Sequence, residues 1–284
     1  MKNDIRYVIV PDVHGRNFYE YDVNMFLEHT DDTKIIFLGD YIDPYPREKI
    51  TPNDSLERLK SIIDLKKKYS DRITLLIGNH DFHYIDGSSR GCRMDYHNKD
   101  EICGLFMKNI DLFEYVKCER IGKTNFIFSH AGFGFAWFSF HSDLFGLFGE
   151  DDEKRKAFTY DTIKNIDWKG ISYYRTALNA YGDVGVSRGG MYNHPSFMWA
   201  DVTDILMDND IMVGGCVQVF GHTMQKVGHP LRFDNCFCLD CQKTFYINDK
   251  GTVLTDQYKP IRRNGEEYKK AYIEYIKRYS QFFI

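Results

Sequence analysis

Five short apolar runs constrain this 284-residue chain more than anything else in it, because each ends at a turn that delivers Asp, Asn or His. Tyr7–Val10 leads into Pro11-Asp12-Val13-His14-Gly15, and Ile35–Leu38 into Gly39-Asp40-Tyr41-Ile42-Asp43. Ile73–Ile77 leads into Gly78-Asn79-His80-Asp81, Phe126–Phe128 into Ser129-His130-Ala131-Gly132, and Val217–Phe220 into Gly221-His222-Thr223. A short continuous apolar run bounded by turn residues reads as a fully buried strand. Gly39 lets the backbone turn without a Cβ clash. Asp40 is then delivered at the carboxyl edge of a sheet, where α/β proteins bind ligands.

The delivered side chains are oxygen and imidazole donors. That set suits a pair of divalent ions of the Mn, Fe or Zn type. A carboxylate such as Asp40 can bridge two ions about 4 Å apart, the spacing of two-metal hydrolytic sites.

Asp12-x-His14, Gly39-Asp40-x-x-Asp43, Gly78-Asn79-His80-Asp81, Ser129-His130-Ala131-Gly132 and Gly221-His222-Thr223 occur in the order found in calcineurin-like metallophosphoesterases. Within that superfamily the chain resembles the phosphoprotein-phosphatase branch, which includes bacterial protein phosphatases and symmetrical diadenosine-tetraphosphate hydrolases. Phe197-Met198-Trp199-Ala200-Asp201 is similar to that branch's Leu-Leu-Trp-Ser-Asp segment. One such motif is weak; five in order, each after a strand-like run, are specific.

The resemblance implies an α/β fold, a two-sheet β-sandwich flanked by helices in four αββα layers. It assigns one metal to Asp12, His14 and Asp40, and a second to Asp40, Asn79, His130 and His222. Mn²⁺ is the expected ion, with Fe or Zn as alternatives. The implied reaction is phosphate-ester hydrolysis by a metal-bound hydroxide, with His80 as general acid held by Asp43. Asp81 is given a supporting role. A dinucleoside-polyphosphate hydrolase is the second reading, and a non-catalytic scaffold of the same fold the third. The intact ligand set and His80/Asp43 pair place the scaffold last.

One departure stands out. Protein phosphatases follow the second Asp of this motif with Arg-Gly, and that arginine grips the phosphate; here Pro44-Tyr45 takes its place. Arg47 and Arg188 are the substitutes weighed, the latter inside Gly182–Gly190, because a guanidinium can bind two phosphate oxygens at once.

The remaining sequence sets broader bounds. A net charge of −4 without a basic block argues against a nucleic-acid partner. No apolar run is long enough to span a bilayer, and seven scattered cysteines point to a reduced, cytosolic protein. Cys236-x-Cys238-x-x-Cys241 reads as buried thiols on one strand face rather than a zinc site, and His83 and His194 as structural or surface residues. The ordered motifs favour one domain over residues 1–284, with a helical cap insertion around 133–195. That insertion reads as a cap or as a substrate-specific lid. Asn17–His29 reads as a helix, a second helix is capped by Asn53 or Ser55, and 82–122 reads as two short helices. Val217–Leu254 reads as strands of the second sheet. A C-terminal helix around 265–282 places Tyr268, Tyr272, Tyr275 and Tyr279 on one face, as core packing.

Overall fold

The first three motif-bearing runs fold as neighbouring parallel strands: β1 (Ile5–Val10), β2 (Lys34–Phe37) and β3 (Ile73–Leu76). The computed structural model describes residues 4–88, 93–207 and 213–279. Helices α1 (Glu20–His29) and α2 (Pro52–Lys68) make the crossovers between them. Next come α3 (Asn79–Asp86), α4 (Lys99–Lys108), β4 (Phe113–Glu114), β5 (Lys117–Ile121) and β6 (Thr124–Phe128). Five short helices occupy the following segment: α5 (Phe135–Phe140), α6 (Asp151–Ala157), α7 (Tyr160–Asn165), α8 (Trp168–Ser172) and α9 (Arg175–Tyr181). The chain closes with α10 (Val202–Met207), β7 (Val217–Phe220), β8 (Leu231–Phe233), β9 (Cys236–Cys238), β10 (Phe245–Asn248), β11 (Val253–Leu254) and α11 (Gly265–Tyr279).

Two mixed sheets result, ordered β11-β10-β1-β2-β3-β4 and β5-β6-β7-β9-β8. Strand alternation sends Tyr7, Ile9, Ile36 and Leu38 of the first sheet into one buried cluster with Phe126, Phe128, Val219 and Phe237 of the second. The opposite face of the first sheet, with Val8, Val10, Ile35 and Phe37, shares a core with Val23 and Phe26 of α1 and Leu59 and Ile63 of α2. The outer face of the second sheet joins Phe220, Cys236 and Cys238 to Val202 and Ile205 of α10, with Tyr268 of α11 packed against them. Cys236, Cys238 and Cys241 are buried free thiols, and burial raises all three. This is the expected α/β sandwich with flanking helices.

Several local expectations need correction. The first helix starts at Glu20; the carbonyl of Asn17 instead closes a turn by accepting the Glu20 N–H. Thr51, not Asn53 or Ser55, caps α2, because Pro52 sits in the first turn and Thr51 Oγ1 takes the Asp54 N–H at 3.1 Å. The 82–122 stretch holds two strands besides its helices; β5 is an edge strand of polar composition, so it shows no apolar run. Strands β10 and β11 join the first sheet rather than the second. Gly251, at φ 77°, makes the tight turn between them, and β10 pairs antiparallel with β1.

The 133–195 segment carries the five short helices α5 to α9. Phe133, Trp137, Trp168, Tyr181 and Phe197 form an aromatic core beneath it. Helix α11 ends its described span at Tyr279; the side chains of Tyr272, Tyr275 and Tyr279 lie outside the described residues, and Tyr268 is partly buried. Among the described residues, no helix is long and apolar enough to cross a membrane.

Candidate metal centre

All five motif turns project from strand ends onto one buried cluster. Asp12, His14, Asp40, Asn79, His130 and His222 are each at most 7% exposed. Two close donor groups share Asp40: His14, Asp40 and His80, and Asp40, His130 and His222. Asp40 Oδ2 lies 3.4 Å from His14 Nε2, and Asp40 Oδ1 lies 3.5 Å from His130 Nε2. Asn79 Oδ1 lies 2.9 Å from His130 Nε2 and 2.8 Å from His222 Nδ1, so three donors converge on one point.

Orientation comes from the backbone. His14 Nδ1 donates to the Ile42 carbonyl and His130 Nδ1 to the Leu38 carbonyl, each at 2.8 Å. Spending Nδ1–H this way leaves each Nε2 with a lone pair facing the cluster, as a metal-binding imidazole requires. The main-chain N–H of His222 donates to both oxygens of Asp12, at 2.9 and 3.1 Å. Asp81 takes the N–H of Asp40 at 2.8 Å, of Tyr41 at 2.9 Å and of Gly78 at 2.9 Å, which ties the second turn to the third.

Close approach demands small residues here. A Cβ on Gly78 would fall 2.2 Å from Asp40 Oδ1, and one on Gly221 would fall 2.0 Å from Asp12 Oδ1. His14, Asp40, Asp43 and His222 all adopt left-handed backbone, with φ between 46° and 66°. Each such non-glycine residue costs about 1–3 kcal/mol, and such strain collects at functional sites.

The electrostatics match a centre built for cations. Burial pushes the Asp12 carboxyl up to about 6, with Asp40 adding to the rise and His130 opposing it. Burial also raises Asp40, but His130, His80, His14 and His222 together outweigh it and hold that carboxyl well below its usual range. His14 falls to about 3 and His222 drops well below the ordinary imidazole value, both chiefly through burial. Neutral imidazoles beside an ionised Asp40 and the neutral Asn79 oxygen form a donor set fitted to divalent ions.

Beside the cluster, Asp43 organises a second group. Its Oδ2 accepts from His80 Nδ1 at 2.9 Å and its Oδ1 from the Tyr84 hydroxyl at 2.7 Å. His83, fully buried, brings Nε2 to 3.1 Å from the same Oδ2, although neither of its ring nitrogens makes a well-directed hydrogen bond. Sequence reasoning gave neither His83 nor Tyr84 a place in the site, yet they follow His80 by three and four positions on α3 and so share its face. Asp240 was also missed. It ends a sixth run of the same kind, Cys236-Phe237-Cys238-Leu239, and is buried, with its carboxyl raised by burial and by Asp12.

The two arginines weighed in sequence lie in different settings. Arg188 Nε pairs with Asp201 at 2.8 Å, and its Nη2 donates to Thr223 Oγ1 at 2.9 Å and to the His222 carbonyl at 3.4 Å. It is therefore attached to the turn that carries His222. Arg47 is exposed, with Nη2 3.1 Å from Met224 Sδ. A third guanidinium, Arg93, went unnoticed in sequence; it donates to the Asp43 carbonyl and lies over the Tyr45 ring.

A family model described as calcineurin-like phosphoesterase matches residues 5–226. A catalytic subunit of protein phosphatase 2A from Dictyostelium discoideum is 35% identical over 77 residues, which are 27% of this chain. The chain spans about a fifth of that relative's length, 22%. Among solved structures, a Saccharomyces cerevisiae serine/threonine phosphatase with similarity to human phosphatase PP5 aligns with a TM-score of 0.45 at 14% identity, over 87% of this chain and 74% of that one. A putative diadenosine tetraphosphatase aligns with a TM-score of 0.43 at 14% identity, over 89% of this chain and 94% of that one. With the family model spanning all five strand-end turns up to His222, the chain belongs to the calcineurin-like phosphoesterases.

Proposed function

We propose that this protein is a binuclear-metal phosphoesterase that hydrolyses phosphate esters. The observation that carries the reading is Asp40, whose two oxygens face His14 on one side and His130 on the other. Asp12, His14 and Asp40 would hold one ion, and Asp40, Asn79, His130 and His222 the other, with Mn²⁺ first and Fe or Zn as alternatives. When bound, such ions activate a water nucleophile and neutralise charge on the phosphoryl oxygens.

The chain's own residues supply the rest. Asp43 fixes the tautomer of His80 by accepting its Nδ1–H, which directs the opposite ring nitrogen away from the carboxylate. From there His80 delivers a proton to the leaving oxygen. Tyr84 braces the same carboxylate with its hydroxyl, and His83 lies against it. Arg188 is the first choice for gripping the phosphoryl oxygens, because its ties to Thr223 and the His222 carbonyl hold it beside the cluster. Arg47 is exposed and contacts Met224, two residues past His222.

The test is a substrate panel on protein stripped of metal and then reconstituted with Mn²⁺, comparing phosphopeptides, nucleotides and dinucleoside polyphosphates. Activity should appear only on reconstitution, with two ions bound per chain. Full turnover by thoroughly metal-free protein would end the proposal.

A further inference from the structure

Four charged or aromatic side chains meet at the rim beside His14. Tyr45, which stands next to Pro44, packs edge-on against His14 with ring centroids 5.1 Å apart. The guanidinium carbons of Arg93, Arg47 and Arg16 lie 3.7, 5.3 and 5.5 Å from the Tyr45 ring centre. Three cations around one ring need anions to offset them.

Only one of the three is neutralised among the described residues. Arg16 makes a two-pronged pair with Glu48, both contacts at 2.8 Å, and adds the Asp12 carbonyl at 3.3 Å. Arg47 has only the sulfur of Met224, a weak acceptor. Arg93 aims Nε and Nη2 at a single acceptor, the Asp43 carbonyl, at 3.3 and 3.2 Å. Its Nη1 has no acceptor among the described residues, and neither Arg47 nor Arg93 pairs with a carboxylate there. A guanidinium stacked on an aromatic face, with one edge unfilled, is preorganised to bind an anion.

Position indicates which anion. Asp43 carries His80 on its carboxylate and Arg93 on its carbonyl, so the proton donor and the unfilled cation are held by one residue. Resting on the reading that His80 protonates the leaving oxygen, we infer that Arg93, stacked on Tyr45 and assisted by Arg47, binds an anionic group on the leaving-group side of the scissile phosphate. The chemical class selected is a phosphate ester or anhydride whose leaving group carries a carboxylate or a second phosphate. The scissile phosphoryl group remains the business of the metal cluster and Arg188.

The experiment uses full-length, Mn²⁺-loaded protein and three substrates: phenyl phosphate, 4-carboxyphenyl phosphate and pyrophosphate. Arg93→Ala should lower kcat/KM roughly 10–100-fold on the two substrates with anionic leaving groups, the worth of one hydrogen bond to a charged group. On phenyl phosphate the loss should stay under about threefold. Pyrophosphate alone responding narrows the ligand to a second phosphate; both responding supports either anion. Tyr45→Leu, which removes the platform and leaves the cation, should give a smaller loss in the same order. It serves as the test if Arg93→Ala melts early or loses metal.

Equal losses on all three substrates would overturn the inference, since Arg93 would then act on the scissile phosphoryl group or on Asp43. No loss on any of them would overturn it as well. A binding measurement separates this outcome from failure of the phosphatase reading. Metal-loaded wild-type protein should prefer methylenebisphosphonate over methylphosphonate in calorimetry, and Arg93→Ala should erase that preference. A preference that persists in the variant removes Arg93 from the site even if the enzyme is active. A preference that is erased keeps Arg93 as an anion contact even if no ester is turned over.

Discussion

His80 Nδ1 lies 2.9 Å from Asp43 Oδ2, and both side chains are buried at the edge of the candidate metal centre. A carboxylate on Nδ1 holds the proton of that nitrogen and turns Nε2 outward, the position from which a general acid hands its proton to a leaving oxygen. His80→Asn should therefore retain both metals yet slow esters with poor leaving groups roughly 10²–10⁴-fold. Aryl phosphates with acidic leaving phenols should lose far less, because their leaving oxygen needs no proton. Steady-state rates across a leaving-group series check this. A uniform loss across the series would mean that His80 positions the phosphate or the water instead.

Asp40 faces His14 with one oxygen and His130 with the other, whereas Asp12 is fixed by the His222 amide on one side of the cluster. Asp40→Asn should weaken binding of both ions, since an amide offers one oxygen and no charge. Asp12→Asn should weaken one. Calorimetric titration with Mn²⁺ distinguishes the two variants. Loss of a single ion in Asp40→Asn, with the other unaffected, would refute the bridging assignment.

The sequence made these strand ends legible because every ligand-bearing turn follows a run buried on both faces, which local composition records directly. The sandwich was implied by the resemblance. Sheet membership was less accessible: Phe245–Asn248 looks like its neighbours in composition, and only its long-range pairing with β1 puts it in the first sheet. His83 and Tyr84 escaped notice because an isolated His or Tyr on a helix face carries no signal until the partner is known, here Asp43 of a different turn. Arg93 lies fifty residues beyond the carbonyl it contacts, and nothing in its neighbourhood marks it. Asp240 could have been found, since it ends the same kind of apolar run as the other five carriers.

Arg188 is held by Asp201, by Thr223 Oγ1 and by the His222 carbonyl, so it is placed by the turn that brings His222 into the cluster. Arg188→Ala should lower kcat/KM for every phosphate ester by a similar factor, roughly 10–100-fold for a lost charged hydrogen bond, whatever the leaving group. That uniformity is the opposite of the selective losses expected for His80→Asn. The same leaving-group series reads both. An unchanged kcat/KM in Arg188→Ala would remove Arg188 from the site and leave Arg47 as the alternative.

Asp12 gives the metal-free protein a distinctive pH response. Burial lifts its carboxyl from an ordinary value of 3.8 to about 6 in the folded chain. A raised carboxyl means that the folded state holds the proton more tightly than the unfolded state does. Asp12 therefore favours folding at low pH, and this contribution declines as pH rises from about 4 through about 6. At 1.36 kcal/mol per unit, the full effect is about 3 kcal/mol at most. Asp12→Asn, which cannot ionise, should remove it: above pH 6 the metal-free variant should melt higher than metal-free wild type, and the gap should close toward pH 4. Metal binding has the opposite slope, because the ion needs the ionised carboxylate and displaces a proton below pH 6. Mn²⁺ affinity should then fall as the medium is acidified through that value, with proton release visible as a buffer-dependent heat. Melting curves of both metal-free proteins between pH 4 and pH 7 test the first half. A gap that stays constant across that range would show that Asp12 does not titrate there.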